Sequence, residues 1–315
     1  MLYKSEIDLK NQLLDFIKSS NQLYIFSAYI KRNALEYLIN NTDNVKSICV
    51  RWEARDLITE VSDLEIYPYL KDKGIALYRN PRLHLKAFVN DYRSCFMGSA
   101  NISNRALAIL ETSNHNYEIA TTVKNLTFED RLYFNRIEQE SILISDHIYN
   151  QLKEQLPQKK KDFPVEVDFK LKFEAPDKNY LISSLPMSFD IYKLFDIYSS
   201  GTSDDNVELN CAVHDLALYN IKNSLTEADF KASLKAAFFN HPFIQAFIKK
   251  VEERNEIYFG EAKAWIHENC ADVPTPRRWE ITTNIQILYR WIVELGEGKF
   301  KIDIPGSHSQ RLYFD

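Results

Sequence analysis

The stretch HLKAFVNDYRSCFMGSAN, His84 to Asn101, decides the reading of this chain. At the period of two that a strand imposes, His84, Lys86 and Phe88 lie on one side and Leu85, Ala87 and Val89 on the other. An imidazole and an ammonium are therefore neighbours on one face of an otherwise apolar strand. Asn90-Asp91 is a turn signal, Ser94-Cys95-Phe96-Met97 reads as a second buried strand, and Gly98-Ser99 breaks it just before Asn101. Such a hairpin returns Ser99 and Asn101 toward His84 and Lys86.

Working outward, apolar residues recur at helical spacing over residues 5–19, and QLYIFSAYI (22–30) reads as a buried strand. A helix over 33–41, a strand over 47–52, a helix over 64–74 closed by Gly74 and a strand over 75–80 lead into the hairpin. NYEIATTV (116–123) is a further strand, and residues 127–155 form one or two closing helices. Strands alternating with helices predict an α/β fold, a mixed sheet flanked by helices, with polar residues gathered at strand ends.

Beyond this the composition changes. QLPQKKKDFP (155–164) combines two prolines with a lysine run and reads as a linker, Lys159, Lys160 and Lys161 being a solvated segment. VEVDFKLKF (165–173) alternates as a half-exposed strand, and SSGTSDDN (199–206) is a polar loop. Helices are predicted over 234–253, 258–269 and 281–295, the last capped by Thr282 or Thr283 and ended by Gly296 and Gly298. Two short strands around a Pro-Gly turn follow over 299–314. Three helices and a hairpin is the order of a winged helix-turn-helix, in which helix three enters a DNA groove. Arg277 and Arg278 before that helix, and Arg290 on it, are candidate nucleic-acid contacts. The stripes Phe243, Phe247, Val251 and Ile285, Leu288, Trp291, Ile292 are equally what any helical core requires, and one of these helices could be a dimerisation or partner surface. The domains expected are thus 1–155 for the α/β part, 156–205 for a linker or extension, and 206–315 for a helical, winged-helix-like part that binds nucleic acid or a partner.

With 315 residues, 45% hydrophobic and 26% charged, the chain has material for two cores. A formal net charge of -5 excludes a generally basic, nucleic-acid-coating protein, so any such function rests on a local site. Cys49, Cys95, Cys211 and Cys270 are widely separated, form no CxxC pair and stand near no histidine at zinc-ligand spacing. Two of them sit in apolar runs and read as buried thiols, and the expected setting is reducing and cytoplasmic. No leader pattern opens the sequence and no segment approaches a membrane span, so no membrane partner is expected.

Written as a pattern, the opening stretch is His84-x-Lys86-x4-Asp91-x6-Gly98-Ser99-x-Asn101. It resembles the HxKx4Dx6GSxN signature of the phospholipase D superfamily, and Glu118 in NYE resembles the acidic position that follows the motif in the small, single-motif nucleases of that group. The resemblance covers about residues 1–150. It implies a phospholipase D-like mixed sheet and a metal-independent hydrolase with no cofactor. It further suggests nucleic acid as partner, DNA ahead of RNA.

The residues support that chemistry in their own terms. A neutral imidazole, His84, can attack a phosphodiester and form a phosphohistidine, dividing one difficult displacement into two. Glu118 is expected to accept a hydrogen bond from the far ring nitrogen and fix its tautomer. Lys86 supplies charge, and Ser99 and Asn101 neutral donors, for the phosphate oxygens. Asp91 and Gly98 are expected to be structural, Asp91 bracing the turn. The leaving oxygen also needs a proton, which the superfamily takes from a second histidine. None of His115, His147, His214, His241, His267 and His308 is followed by lysine two positions on. The single-motif nucleases pair two protomers, which implies a homodimer with a composite site. Ser94-Cys95 has no triad partners, Asn114-His115-Asn116 reads as a loop ahead of a polar contribution near the site, and His115 and His214 as solvent-facing. A nuclease plus a DNA reader resembles restriction enzymes of the superfamily, hence restriction or antiphage defence. An acidic nuclease is also a candidate for an activating protein partner. The competing readings are a catalytically silent binding module and a lipid phosphodiesterase, the latter opposed by the single motif and the lack of an apolar anchor.

Overall fold

LYIFS, Leu23–Ser27, is apolar almost throughout and buried throughout, the pattern of a strand covered on both faces. It is the centre of the larger sheet. The computed structural model describes residues 1–5, 7–109, 115–156, 171, 178–277, 280–305 and 309–314. Two compact units divide the chain: Met1–Arg131 with Glu140–Pro176, and Leu132–Gln139 with Asp177–Asp315.

The first unit contains β1 (Tyr3–Lys4), α1 (Leu9–Ser19), β2 (Leu23–Ser27), α2 (Arg32–Ile39), β3 (Val45–Val50), α3 (Ala54–Ile58), α4 (Ile66–Asp72) and β4 (Ala76–Arg79). It continues with β5 (Lys86–Asn90), β6 (Ser94–Gly98), β7 (Ile119–Val123), the start of α5 (Phe128–Gln139), β8 (Ile142–Leu143) and α6 (Asp146–Gln155). The eight strands form one mixed sheet in the order β1-β7-β6-β5-β2-β3-β4-β8. β2, β3 and β4 are parallel, joined by helical crossovers, and β5, β6 and β7 continue the sheet antiparallel. The expected α/β alternation is present; α3 is an added helix that the sequence reading did not separate.

Leu9, Leu13 and Ile17 of α1 are buried in the core with Phe88 and Phe96. Phe16 and Tyr3 both approach Phe96, the Tyr3 and Phe96 rings stacking at 5.6 Å. Gly74 follows α4 at φ 66°, a left-handed position that favours glycine. In the β5–β6 turn, Asp91 and Tyr92 have φ of 49° and 51°, the paired positive angles of a hairpin turn, closed by Arg93 N–H donating to Asn90 O.

The second unit contains β9 (Tyr180–Leu181), a 3-10 turn at Ile182–Ser184, α7 (Ile191–Ser200), α8 (Asn206–Leu218), α9 (Glu227–Asn240), α10 (Pro242–Glu252), β10 (Glu256–Tyr258) and α11 (Phe259–Asn269). β11 (Cys270–Ala271), α12 (Ile281–Leu295), β12 (Phe300–Asp303) and β13 (Arg311–Phe314) complete it. Three strands form an antiparallel sheet in the order β10-β13-β12. The helix expected over 234–253 is two helices. Pro242 opens α10 at its first turn, where its missing N–H costs nothing, and forces His241 out of helical conformation. Residues 178–205, expected to be linker or extension, belong to this unit, with Leu194 of α7 fully buried. The strand expected over 165–173 lies outside the described residues except Leu171, as do most of the lysine-rich linker and the tip of the final hairpin.

Candidate active site

Because β2, β3 and β4 are parallel, their C-terminal ends share one edge of the sheet; β5 and β7 begin at that edge and β6 ends there. The motif is distributed along it. His84 stands exposed just before β5, and Lys86 opens β5 opposite Ser27 of β2. Gly98 ends β6 opposite Ala120, followed by Ser99, while Glu118 immediately precedes β7. Asn101 is held by the strand-like run beyond β6: Ile102 bridges Ile30, and Lys31 N–H donates to Ile102 O at 2.8 Å. Ligands gather at the carboxyl ends of parallel strands for this reason of topology.

Gly98 is required by close approach. A Cβ there would stand 2.3 Å from Ile119 O and 2.8 Å from Ala120 Cα, so only glycine lets β6 meet β7 at this point. That approach brings Ser99 onto Glu118: Ser99 Oγ donates to Glu118 Oε2, and Ile119 N–H donates to Ser99 Oγ at 3.1 Å. Asn116 Nδ2 donates to Glu118 Oε1 at 3.2 Å. Ser5 holds the Glu118 backbone from the other side, accepting from Glu118 N–H at 2.6 Å.

Lys86 Nζ donates to the His84 carbonyl at 2.8 Å and lies 3.3 Å from His84 Nδ1. An ammonium only donates, so Nδ1 is the acceptor and the neutral ring carries its hydrogen on Nε2. This differs from the expected contact, in which Glu118 takes the far ring N–H of His84. The carboxylate is instead occupied by Ser99 and Asn116. Asn101 Oδ1 is buried with no hydrogen-bond partner among the described residues. Asp91 is at the opposite end of β5, paired with Arg93 at 3.2 Å, where it serves the turn.

One cation escaped the motif. Arg51, directly after β3, acts on Lys86 through its charge. Its Nε donates to Asp56 Oδ2 at 2.8 Å and its Nη2 to Asp56 Oδ1 at 2.5 Å and to Tyr29 Oη at 2.7 Å. Asp56 is almost fully buried, so the guanidinium is fixed in orientation. The Asp56 hydrogen bonds raise the Arg51 pKa further above its already high value. Burial, and then the charge of Arg51, hold the Lys86 pKa below the ordinary lysine value, while Glu118 opposes them. The signal for Arg51 was its place at the end of the apolar strand SICVRW.

The second unit separates the remaining candidates from this edge in kind. Arg277 is 9% exposed, forms an ion pair with the buried Glu208, donates from Nε to Met187 O at 2.9 Å and approaches Glu280. It is a buried structural cation, and the expectation that it grips phosphate is corrected. Arg290 lies 4.2 Å over the Phe189 ring, and α12 buries eight of its residues. Arg278 lies outside the described residues. His214 is not solvent-facing: it is 3% exposed, with Nδ1 2.9 Å from Asp215 Oδ1. Asp215 in turn accepts from the backbone N–H of Met187 and Ser188.

Residues 13–137 match the family model described as cardiolipin synthase, phospholipase D-like domain. No curated protein matches the chain. Among solved structures it is similar to Nuc, a phospholipase D family member from Salmonella typhimurium, at 14% identity over 46% of this chain and 99% of that one, TM-score 0.36. NucT from Helicobacter pylori is similar at 16% identity over 46% and 98%, TM-score 0.37. Phosphatidylserine synthase from Haemophilus influenzae Rd KW20 is similar at 15% identity over 55% of this chain and 46% of that one, TM-score 0.38. The large mixed sheet flanked by helices, with the motif along one edge and the family match across it, gives the first unit the phospholipase D-like fold.

Proposed function

We propose that the protein is a metal-independent phosphodiesterase that cleaves nucleic acid through a phosphohistidine at a site shared by two copies of the chain. One observation carries the reading: His84, Lys86, Ser99, Asn101 and Glu118 come from separate strand ends to one edge of one sheet. A ring nitrogen of His84 attacks phosphorus, the P–O bond to the leaving group breaks, and that oxygen takes a proton from a second imidazole. Water then attacks the P–N bond and returns a proton to the second imidazole, releasing phosphate monoester and free His84. Lys86, with Arg51 beside it, meets the charge on the non-bridging oxygens, and Ser99 and Asn101 add neutral contacts. Glu118 orients His84 once its own partners yield.

The second imidazole is assigned to His84 of another protomer. Met97, Ile119 and Tyr117, 40%, 53% and 97% exposed, border Ser99 and Glu118 and offer apolar area for that contact. The second unit is read as a winged-helix-like module: α10, β10, α11, α12, β12 and β13 follow in that order, and the strands lie β10-β13-β12. Its partner is nucleic acid, DNA first, or an activating protein, and the setting in restriction or antiphage defence rests on the sequence resemblance alone.

The test is cleavage of single-stranded DNA, duplex DNA and RNA in excess EDTA by the wild type and by His84→Ala. Cleavage that survives EDTA and disappears in the variant is expected; binding without cleavage by the wild type would make the protein a silent module. A lipid phosphodiester is the second reading, favoured by the description of the matched family. Turnover of phosphatidylglycerol or cardiolipin vesicles, with nucleic acid untouched, would establish it instead. No helix among the described residues is long and apolar enough to cross a membrane.

A further inference from the structure

A pocket of about 200 Å³ opens in the second unit, lined by Ile191, Tyr192 and Phe195 of α7, Glu227, Phe230 and Lys231 of α9, and Glu294 of α12. Its walls are apolar and ordered by ring contacts. Phe195 and Phe230 have centroids 5.2 Å apart, Tyr198 backs Phe230 at 4.7 Å, and Phe230 and Ile191 are buried. Tyr192 is 64% exposed and stands at the rim with Lys231 Nζ 5.9 Å from its ring centroid.

Glu294 is the polar feature of this space. Its carboxylate accepts from the Ile191 backbone, yet Oε2 is buried with no hydrogen-bond partner among the described residues. A buried carboxylate oxygen without a donor costs free energy that a ligand donor would recover. Burial raises the Glu294 pKa, with Asp190 adding to the rise and the Ile191 N–H, Arg290 and Lys231 opposing it. Neither cation fills the vacancy: Arg290 is stacked 4.2 Å over Phe189, and Lys231 is drawn over Tyr192. The charged residues lining the space are Glu227 and Glu294 against Lys231, and Asp190 and Arg290 act on Glu294 from behind with opposite sign, so negative charge predominates.

We propose that this pocket binds a compact organic cation, an amidinium or ammonium carried on a flat apolar body. The cationic N–H groups meet the Glu294 carboxylate, and the body lies among Tyr192, Phe195 and Phe230, whose ring faces attract positive charge. The volume is below the roughly 300 Å³ at which sites for drug-sized ligands begin, so a single ring with its charged head is the matching size. An anion meets the wrong charge, and a hydrocarbon leaves Oε2 without a donor. This site is independent of the chemistry at the sheet edge of the first unit.

The probe is benzamidine, titrated into the full chain by calorimetry and by amide NMR shifts, beside its neutral counterpart benzamide and the anion benzoate. Saturable binding of benzamidine is expected, with benzamide at least tenfold weaker and benzoate silent. Glu294→Gln should weaken benzamidine at least tenfold and remove its preference over benzamide, with an unchanged thermal transition. Tyr192→Ala, at an exposed position that folding does not need, should weaken it as well. Protonating Glu294 removes the attracting charge, so affinity should fall as pH drops through that raised pKa. Absence of saturable benzamidine binding, equal binding of benzamide, or full affinity in Glu294→Gln would overturn the proposal.

Discussion

The sheet edge of the first unit and the polar core of the second treat charge in opposite ways. At the edge, His84 and Ser99 are exposed and Lys86 only half-buried, and their hydrogen bonds run both to neighbouring side chains and to the backbone. In the second unit Arg277, Glu208, His214 and Asp215 are buried; Arg277 and Asp215 are tied to backbone groups, and Glu208 and His214 pair with them. His241 is held neutral as well, burial and then His214 lowering its pKa to about 4. Polar groups locked into a buried core specify a fold; groups that stand at an open edge are free to exchange partners for a ligand.

Substitutions should separate the two regions by what they damage. The largest effect is expected from His84→Ala, which should cut phosphodiester cleavage by up to about 10⁴-fold while leaving urea unfolding within about 0.5 kcal/mol. A matching loss of stability would remove the distinction between the regions. Arg277→Met should do the converse, destabilising the second unit by about 3–5 kcal/mol because Glu208 is left buried and unpaired. Unfolding followed by a probe confined to that unit reads this, and a benign outcome would restore Arg277 as a candidate ligand-binding cation. Gly98→Ala joins both behaviours: the Cβ clash with β7 should cost about 1–3 kcal/mol and lower cleavage by moving Ser99 away from Glu118. The smallest effect is electrostatic. Lys86 is charged below its lowered pKa, so cleavage should fall as pH rises through that value. Arg51→Met removes a neighbouring positive charge, raises the Lys86 pKa and should carry the basic limb of the pH profile of kcat/KM to higher pH. A basic limb that does not move would detach Arg51 from Lys86.

Legibility in the sequence followed locality. β2, β3, β5 and β6 were readable because burial on a strand repeats every two residues, or is continuous when both faces are covered. The motif was readable because its spacing is the spacing of one hairpin and its exit. The split at His241-Pro242 was also local and could have been found from proline chemistry alone. Arg277 and His214 were not legible, since the acids that claim them, Glu208 and Asp215, act only through helix packing and burial. Arg51 failed for the complementary reason: its relation to Lys86 passes through the order of three strands, β3-β2-β5, which no linear spacing records. The engagement of Glu118 by Ser99 and Asn116 likewise depends on how closely β6 approaches β7.

The contact between Lys86 Nζ and His84 Nδ1 turns the ammonium into a latch on the proposed nucleophile. With its lone pair at Nδ1 covered and hydrogen on Nε2, the ring in this arrangement has no free lone pair with which to attack. Water, being neutral, offers the latch nothing that His84 does not already give it. A phosphodiester does, because its oxygens compete for Lys86 with a full negative charge and, where they take the ammonium hydrogen that faces Nδ1, uncover it. The substrate would in this way arm the residue that attacks it, and an idle site would stay silent toward solvent.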